Sequence, residues 1–318
     1  MLSHLFRRLA SLLLTLAAAS LLVFGVLELL PGSAAEVILG DTATPEAVAA
    51  LNTQLGLDQP ATQRYLHWVG GLLQGRTAHS ISYDTPTAEL IAQRMEVTLP
   101  LALMAMALTT VLALGLGLYA AARHGRAGDV GVMALSQLGI AVPNFWFAIL
   151  LILLFAVQLQ WVGAGGFPGW RADEGGGVGP ALAALLLPAV ALAVVQAAIL
   201  ARVTRSAVLA VSREDYVRTA RAKGLSRRQA LLRHVLRNAL LPVLTVMGLQ
   251  FANLVTGTIV VESVFVLPGI GRLVFQAIAN RDLVVVRDVV MLLAALVVVV
   301  NFVVDVLVAW IDPRIRHH

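Results

Sequence analysis

Long apolar stretches separated by polar segments run through this chain of 318 residues. The first covers residues 9–30, which is enough to cross the hydrocarbon core of a membrane as a helix, since that takes about 20 residues. Five later stretches meet the same test, and together they predict an all-α polytopic membrane protein with six transmembrane helices. The later stretches are residues 98–122, 130–158, 178–201, 240–261 and 289–311. Pro143 and Pro188 fall inside two of them and predict kinks.

The first apolar stretch has an alternative interpretation as a cleaved signal peptide, with residues 33–35 as the cleavage site. Its apolar part is longer than the roughly 7–15 residues that are usual in signal peptides. A retained first span is therefore favoured.

Residues 31–97 form a polar segment, and their pattern predicts a small helical subdomain lying on the outer surface of the membrane. Thr44-Pro45 predicts a helix start, because Thr is a good cap and Pro suits the first turn. A second amphipathic helix is predicted over 62–74, and a third from Thr85-Pro86 to about Met95. The predicted parts of the chain are residues 1–30 (N-terminus and first span), 31–97 (outer helical subdomain) and 98–318 (the remaining spans, with a cytoplasmic loop at 202–239).

The composition supports lipid as the solvent of this chain. It is 59% hydrophobic and 13% charged, whereas soluble domains are about 45–50% apolar and about 25% charged. The absence of cysteine excludes disulfides and thiolate metal sites. Lys223 is the only lysine and Gly224 follows it, whereas a P-loop needs Lys followed by Ser or Thr. The chain therefore cannot carry this ATP site, and any energy from ATP must come from another polypeptide.

Basic residues are distributed unevenly between the two predicted sides. With the N-terminus in the cytoplasm and six alternating spans, 16 of the 23 Lys and Arg residues fall inside, although the outer segments are longer. This asymmetry follows the positive-inside rule and predicts that both termini are cytoplasmic. The net charge of +5 does not indicate nucleic-acid binding, because the basic loop offers only Tyr216 as a stacking aromatic.

The most basic segment, residues 212–242, lies between the fourth and fifth spans. Its pattern predicts a short helix over 215–223, with the acid near its N-terminus and basic groups near its C-terminus. Gly224 is predicted to end this helix in the left-handed conformation. Ser226 and Gln229 predict a capping box that starts a second helix leading into the fifth span. On charge alone, the segment is a topogenic loop that contacts water and lipid headgroups, and a docking role is the alternative.

Residues 215–224, followed by 234–239 and Pro242, resemble the cytoplasmic coupling loop of ABC-importer permeases of the dipeptide, oligopeptide and nickel group. Arg218-Thr219-Ala220 stands where the wider superfamily has Glu-Ala-Ala, and Gly224 matches its glycine. Arg237 stands where that superfamily has Pro, as is usual in the peptide and nickel branch. Other similar motifs lie at residues 29–32, 55–60, 143–146, 262–273 and 281–282.

The resemblance implies one permease subunit of an ABC importer in the bacterial inner membrane, working by ATP-driven alternating access. The implied partners are a second permease in a heterodimer, two ATPase subunits that hold ATP and Mg²⁺, a periplasmic or lipoprotein solute-binding protein, and membrane lipid, but no nucleic acid. No cofactor, metal or catalytic residue is expected on this chain. The residues implied to couple to an ATPase are Asp215, Tyr216, Arg218, Thr219, Ala220, Arg221, Ala222, Lys223 and Gly224.

Polar residues inside the apolar spans are candidates for the translocation path. Gln250, Asn253 and Gly257 recur at helical spacing on one face of the fifth span. Asn144 on the third span and Gln196 on the fourth are further candidates. Hydrogen bonding between helices explains such residues equally well, so both interpretations stay open.

The polar loop predicted over residues 262–287 resembles the family's outer loop beneath the binding protein. The residues that carry this resemblance are Glu262, Phe265, Pro268, Gly269, Arg272, Arg281 and Asp282. The alternative interpretation is a re-entrant turn that closes the pair of spans, with Arg281 and Asp282 as solvated surface charges.

Two other classes of function are compatible with six spans: an ion-coupled secondary transporter, and a membrane scaffold or receptor that moves nothing. Charged residues deep inside predicted spans are scarce, and such groups mark ion-coupled transport, so the secondary transporter is disfavoured. The sequence leaves the cargo open between dipeptides, oligopeptides, nickel or a metal chelate, and glutathione-like compounds.

Overall fold

The computed structural model describes residues 2–29, 35, 39–40, 43–54 and 56–311. Across these ranges the regular structure is helical, apart from one isolated antiparallel bridge between His79 and Pro86, which confirms the all-α prediction. Parts of the motifs at 29–32 and 55–60, of the proposed cleavage site and of the C-terminus lie outside the described residues. The helices, in chain order, are α1 (Leu2–Glu28), α2 (Pro45–Gln54), α3 (Ala61–Leu73), α4 (Thr87–Ala122), α5 (Ala127–Ala141), α6 (Asn144–Gln158), α7 (Val178–Ser212), α8 (Asp215–Ala222), α9 (Arg227–Val264), α10 (Ile270–Ala279) and α11 (Leu283–Ile311).

Five helices in the described part of the chain are long and apolar enough to cross a membrane: α1, α4, α7, α9 and α11. The pair α5 and α6 qualifies as a sixth if it is counted as one span, but it is bent by 101°. Pro143 causes this break, because it disfavours the helical conformation of the preceding residue. Val142 is accordingly extended, at φ −90° and ψ 122°. The predicted kink is thus a complete interruption of the helix.

The prediction of a separate third helix ending near Met95 is wrong, since α4 runs without interruption from Thr87 to Ala122. Residues 96–98 carry no Gly or Pro stop, and Pro100 is accommodated inside the helix. The predicted boundary between residues 97 and 98 falls within this one helix. The loop predicted over 262–287 likewise contains a helix of its own, α10.

The helices form two compact units, each with its own core. The first contains Leu99–Leu267 and the chain from Val300, and the second contains Leu2–Thr98 and Pro268–Val299. In the first unit, α7 packs against α5, α6 and α9. A small residue also lets α4 approach α7 closely, because a Cβ added to Gly117 of α4 would lie 2.6 Å from the Cβ of Thr204 on α7.

An ion pair fixes the start of α5 to α7 within the first unit. Arg205 donates from Nε to Oδ1 of Asp129 at 2.5 Å and from a terminal nitrogen to Oδ2 at 2.7 Å. The backbone N–H of Gly125 donates to the same Oδ2 at 2.9 Å, and Nδ1 of His124 lies 3.1 Å from it. This bidentate arrangement satisfies a buried carboxylate and sets the register of the two helices.

The second unit joins its helices through buried carboxylates as well as an apolar core. The core contains Leu90, Ile270, Leu273, Ala277, Val285 and Val289. At the start of α11, Asp288 accepts hydrogen bonds from Nε1 of Trp68 and from Oγ1 of Thr87. The guanidinium of Arg287 lies 4.7 Å from the centre of the Trp68 ring, within the range of a cation–π contact. The polar segment after α1 is therefore tied to the beginning of α11.

Replacing Asp288 by Ala should destabilise the second unit. The variant leaves two buried donors, on Trp68 and Thr87, without their acceptor, at a cost of about 1–3 kcal/mol each. We expect a lower melting temperature of the purified chain in detergent, followed by circular dichroism. Asp173→Ala is the control, because Asp173 forms an exposed ion pair with Arg171 that contributes about 0–1 kcal/mol. Equal losses in the two variants would contradict a structural role for the Asp288 network.

Candidate coupling surface and translocation path

Helix α8 lies between α7 and α9 in the chain, and one side of it is buried. Val217 is 3% exposed and Ala220 is 8% exposed. Val217 belongs to an apolar cluster that joins the ends of α4 and α7 to the beginning of α9. The other buried members of this docking cluster are Ala121, Val208, Ala230, Val235 and Ala239. Helix α8 is therefore in apolar contact with three long helices.

The opposite side of α8 is open and basic. Eight of the nine predicted coupling residues have exposed positions, and Ala220 is the buried one. Arg218 pairs with Asp215 at 3.4 Å, but both side chains remain largely exposed, so this ion pair contributes little. The exposed members of the set are Asp215, Tyr216, Arg218, Thr219, Arg221, Ala222, Lys223 and Gly224.

Gly224 ends α8 as predicted, at φ +94°. The N–H of Leu225 donates to the carbonyl of Ala220 at 3.3 Å, and the N–H of Gly224 donates to that of Arg221 at 3.0 Å. This pair of bonds is the Schellman motif. A Cβ on Gly224 would meet no atom within 4 Å, so the backbone conformation, and not crowding, is what requires glycine here.

The predicted capping box after Gly224 is also confirmed. The N–H of Gln229 donates to Oγ of Ser226 at 3.3 Å, and the N–H of Ser226 donates to Oε1 of Gln229 at 3.0 Å. Helix α9 then passes through a π-helical turn at Leu231–Val235, which the sequence pattern did not predict. Nδ2 of Asn238 donates to Oη of Tyr216 at 2.9 Å and so adds a polar contact between α8 and α9.

The five predicted path residues come together in the first unit. Nε2 of Gln250 donates to the backbone carbonyl of Gln196 at 3.5 Å, and Nδ2 of Asn253 donates to Oε1 of Gln250 at 3.4 Å. A Cβ on Gly257 would lie 3.2 Å from Nδ2 of Asn144. Gln196 and Gln250 are buried, Asn144 is half-buried and Asn253 is exposed. An uncharged polar patch thus lies where α6, α7 and α9 meet.

The residues predicted for the outer loop are divided between the units, and most are not on the surface. Glu262 and Phe265 are buried in the first unit. In the second unit Arg281 is exposed, Gly269 is buried, and Pro268 and Arg272 are half-buried.

The alternative interpretation, with Arg281 and Asp282 as solvated surface charges, is wrong for Asp282, because Asp282 is fully buried. Its carboxylate accepts from Oγ of Ser80 at 2.5 Å and from the N–H of Ser82 at 3.0 Å, and it also caps the start of α11 through Val285.

Three charged residues that join helices were not singled out by the sequence pattern: the buried Asp129 and Asp288, and the half-buried Arg205. Their signal was weak, since each stands near the end of an apolar stretch, where charge is ordinary. An acid in the first turn of a predicted helix, as at Asp129, is the only local hint. Among the described residues, His, Asp and Glu side chains form no group of three that could hold a metal ion.

Two family models account for almost the entire chain. "Binding-prot-dependent transport system membrane comp, N-term" matches residues 1–102, and "Binding-protein-dependent transport system inner membrane component" matches residues 113–317. The chain belongs to this family of ABC-importer permeases. The permease is a transport subunit and not an enzyme, and ATP hydrolysis belongs to a separate subunit. The family supports the ABC-permease prediction and neither the secondary-transporter nor the scaffold alternative.

Curated relatives match the permease from end to end. A putative peptide transport system permease protein of Brucella abortus is 41% identical over 311 residues, covering 98% of each chain. The di/tripeptide transport system permease protein DppB of Pseudomonas aeruginosa is 41% identical over 334 residues, covering 100% of this chain and 99% of its own. The dipeptide transport system permease protein DppB of Escherichia coli K12 is 36% identical over 337 residues, with the same coverage.

Replacing Val217 by Asp should detach α8 from the docking cluster, because an unpaired carboxylate is costly to bury. The permease has no cysteine, so a single Ala220→Cys thiol can report on docking. We expect Val217→Asp to accelerate labelling of that thiol by at least about tenfold, given the size of this penalty.

The matched control is Thr219→Asp, which adds the same charge at an exposed position of the same helix and should leave labelling slow. Fast labelling in the control, or slow labelling in the Val217 variant, would show that Val217 does not hold α8 in place.

Proposed function

We propose that the permease moves short peptides across a bacterial inner membrane, as one of two permeases that share two ATPase subunits and one solute-binding protein. The observation that carries this proposal is the construction of α8: an exposed basic surface on one side, and on the other the buried Val217, which packs in a cluster with residues of three long helices. A surface of this kind is suited to receive a partner and to pass its movement to the spans.

The exposed side of α8, from Asp215 to Gly224, is the proposed docking surface for an ATPase subunit, which holds ATP and Mg²⁺. Closure of the ATPases around ATP displaces α8, and the docking cluster transmits this displacement to α4, α7 and α9. A packed helix bundle responds by switching between discrete arrangements. The path then opens to one side of the membrane at a time.

The orientation follows from charge. Placing α8 in the cytoplasm also places both termini there, and it puts most Lys and Arg residues on the side that the positive-inside rule favours. Residues 31–97 then form an extracytoplasmic subdomain, and residues 98–318 form the permease core. The loop from Glu262 to Asp282 lies on the outer side. There the exposed Arg281 is available to the binding protein, and the buried residues of the loop stabilise its conformation.

Asn144, Gln196, Gln250, Asn253 and Gly257 are the proposed lining of the path. The four side chains of this set are neutral amides, and Gly257 carries none, so the lining is polar without charge and does not hold a charged group of the cargo by an ion pair. Peptides are the proposed cargo because the relatives from Brucella abortus, Pseudomonas aeruginosa and Escherichia coli are named as peptide permeases.

Replacing Gly224 by Val should uncouple ATP hydrolysis from uptake. A β-branched residue at positive φ costs about 1–2 kcal/mol relative to glycine. The Schellman motif that ends α8 therefore becomes about five- to thirty-fold less populated. We expect more ATP to be hydrolysed per peptide moved by the reconstituted complex, while the chain still inserts.

Gly125→Val is the matched control for this experiment. Gly125 also has a positive φ, of +76°, and open space around a Cβ, but it lies outside α8. Normal coupling in Gly224→Val, or an equal loss in both variants, would count against α8 as the coupling element.

A further inference from the structure

Gln196 carries a buried oxygen that no neighbour satisfies. The residue is 6% exposed, and its Oε1 atom has no hydrogen-bond partner among the described residues. Buried side-chain acceptors are nearly always paired, because leaving one unpaired costs free energy. An unpaired acceptor in the middle of a polar patch therefore points to a donor that arrives from outside the chain.

The amides beside Gln196 are already engaged with other partners. Nε2 of Gln250 donates to the backbone carbonyl of Gln196, and Oε1 of Gln250 accepts from Asn253. These contacts hold Gln250 in place, and its amide nitrogen is directed at the backbone carbonyl of Gln196 and not at the side-chain oxygen. The side-chain oxygen of Gln196 thus remains free for another group.

The surroundings restrict the chemistry of the arriving donor. Residues 178–201 of α7 carry no charge, and the patch is made of neutral amides, with Gly257 closely packed against Asn144 and Leu192. An ammonium group would call for a carboxylate, and a carboxylate would call for several donors. A neutral acceptor in neutral surroundings is matched by a neutral donor, and the N–H of the peptide bond is the neutral donor that every ordinary peptide offers.

We propose that Oε1 of Gln196 accepts a hydrogen bond from the peptide-bond N–H of the cargo as it passes α7. Every dipeptide of ordinary residues carries this donor whatever its side chains, except where Pro follows the peptide bond. The contact therefore recognises the cargo by its backbone and is indifferent to its sequence. This inference rests on the proposed function, since it assigns a role to one residue of the proposed path.

The test compares two probes in two forms of the permease. The complete importer with its binding protein is reconstituted in proteoliposomes, and ATP-dependent uptake is measured for alanylalanine and for its peptide-bond N-methyl analogue. Each is measured with the unmodified permease and with Gln196→Met, which keeps the length of the side chain and removes the oxygen. The binding protein's own preference is common to both forms and cancels in the comparison.

We expect N-methylation to lower uptake more in the unmodified permease than in Gln196→Met, by a factor of about five, as one neutral hydrogen bond contributes. Gln137→Met is the control, because Gln137 is exposed on α5, and it should behave as the unmodified permease does. Should Gln196→Met fail to assemble, Gln196→Leu supplies the same comparison.

The same ratio of the two uptake rates in both forms would overturn the role of Gln196 and leave the proposed function intact. A water molecule held by Gln196 in place of the cargo would give that result. Failure of the unmodified importer to take up alanylalanine would instead overturn the proposed cargo, and this inference with it.

Discussion

Lipid offers no hydrogen bonds to a polypeptide, and this constraint accounts for most of what the chain does. Backbone N–H and C=O groups at membrane depth must be satisfied within the protein, so the spans are helical. Interruptions occur where local chemistry can compensate for them. At Pro143, where the helix breaks, proline itself adds no N–H to the groups that the break leaves unpaired. At Gly224 and Ser226, outside the apolar stretches, the freed groups are taken up by a Schellman motif and a capping box.

The same constraint governs polar side chains. Asp129 is buried because Arg205 and the N–H of Gly125 satisfy it, and Asp288 is buried because Trp68 and Thr87 do so. Within each unit these networks hold helices that are distant in sequence. Gln196 departs from the pattern, and it does so among the amides of the proposed path, where a group from solution replaces the missing internal partner.

Local rules allowed α8 and its boundaries to be predicted from the sequence. The Gly224 stop and the capping box of Ser226 each depend on residues within one or two turns of each other. The spans followed from length and hydropathy alone. Long-range structure was less accessible. The burial of Asp282 depends on Ser80 and Ser82, some 200 residues away in the chain, and no nearby residue signals it.

The proposed path shows the same limit. Periodicity related Gln250 to Asn253 and Gly257 on one helix, but the approach of Asn144 and Gln196 depends on how three helices pack. The continuation of α4 past Met95 was missed for another reason, since a change from polar to apolar composition was taken as a boundary although the backbone had no cause to stop there.

The Schellman motif at Gly224 and the capping box that follows it make the bend between α8 and α9 rigid. The last turn of α8 and the first turn of α9 are both closed by hydrogen bonds in the chain alone, so the bend between the two helices is preorganised. Little conformational entropy therefore remains to be lost when a partner binds there. In the proposed coupling role, an ATPase subunit that binds this bend would contact a rigid segment. Its movement would then be passed to the helix bundle and would not be spent on ordering a flexible loop.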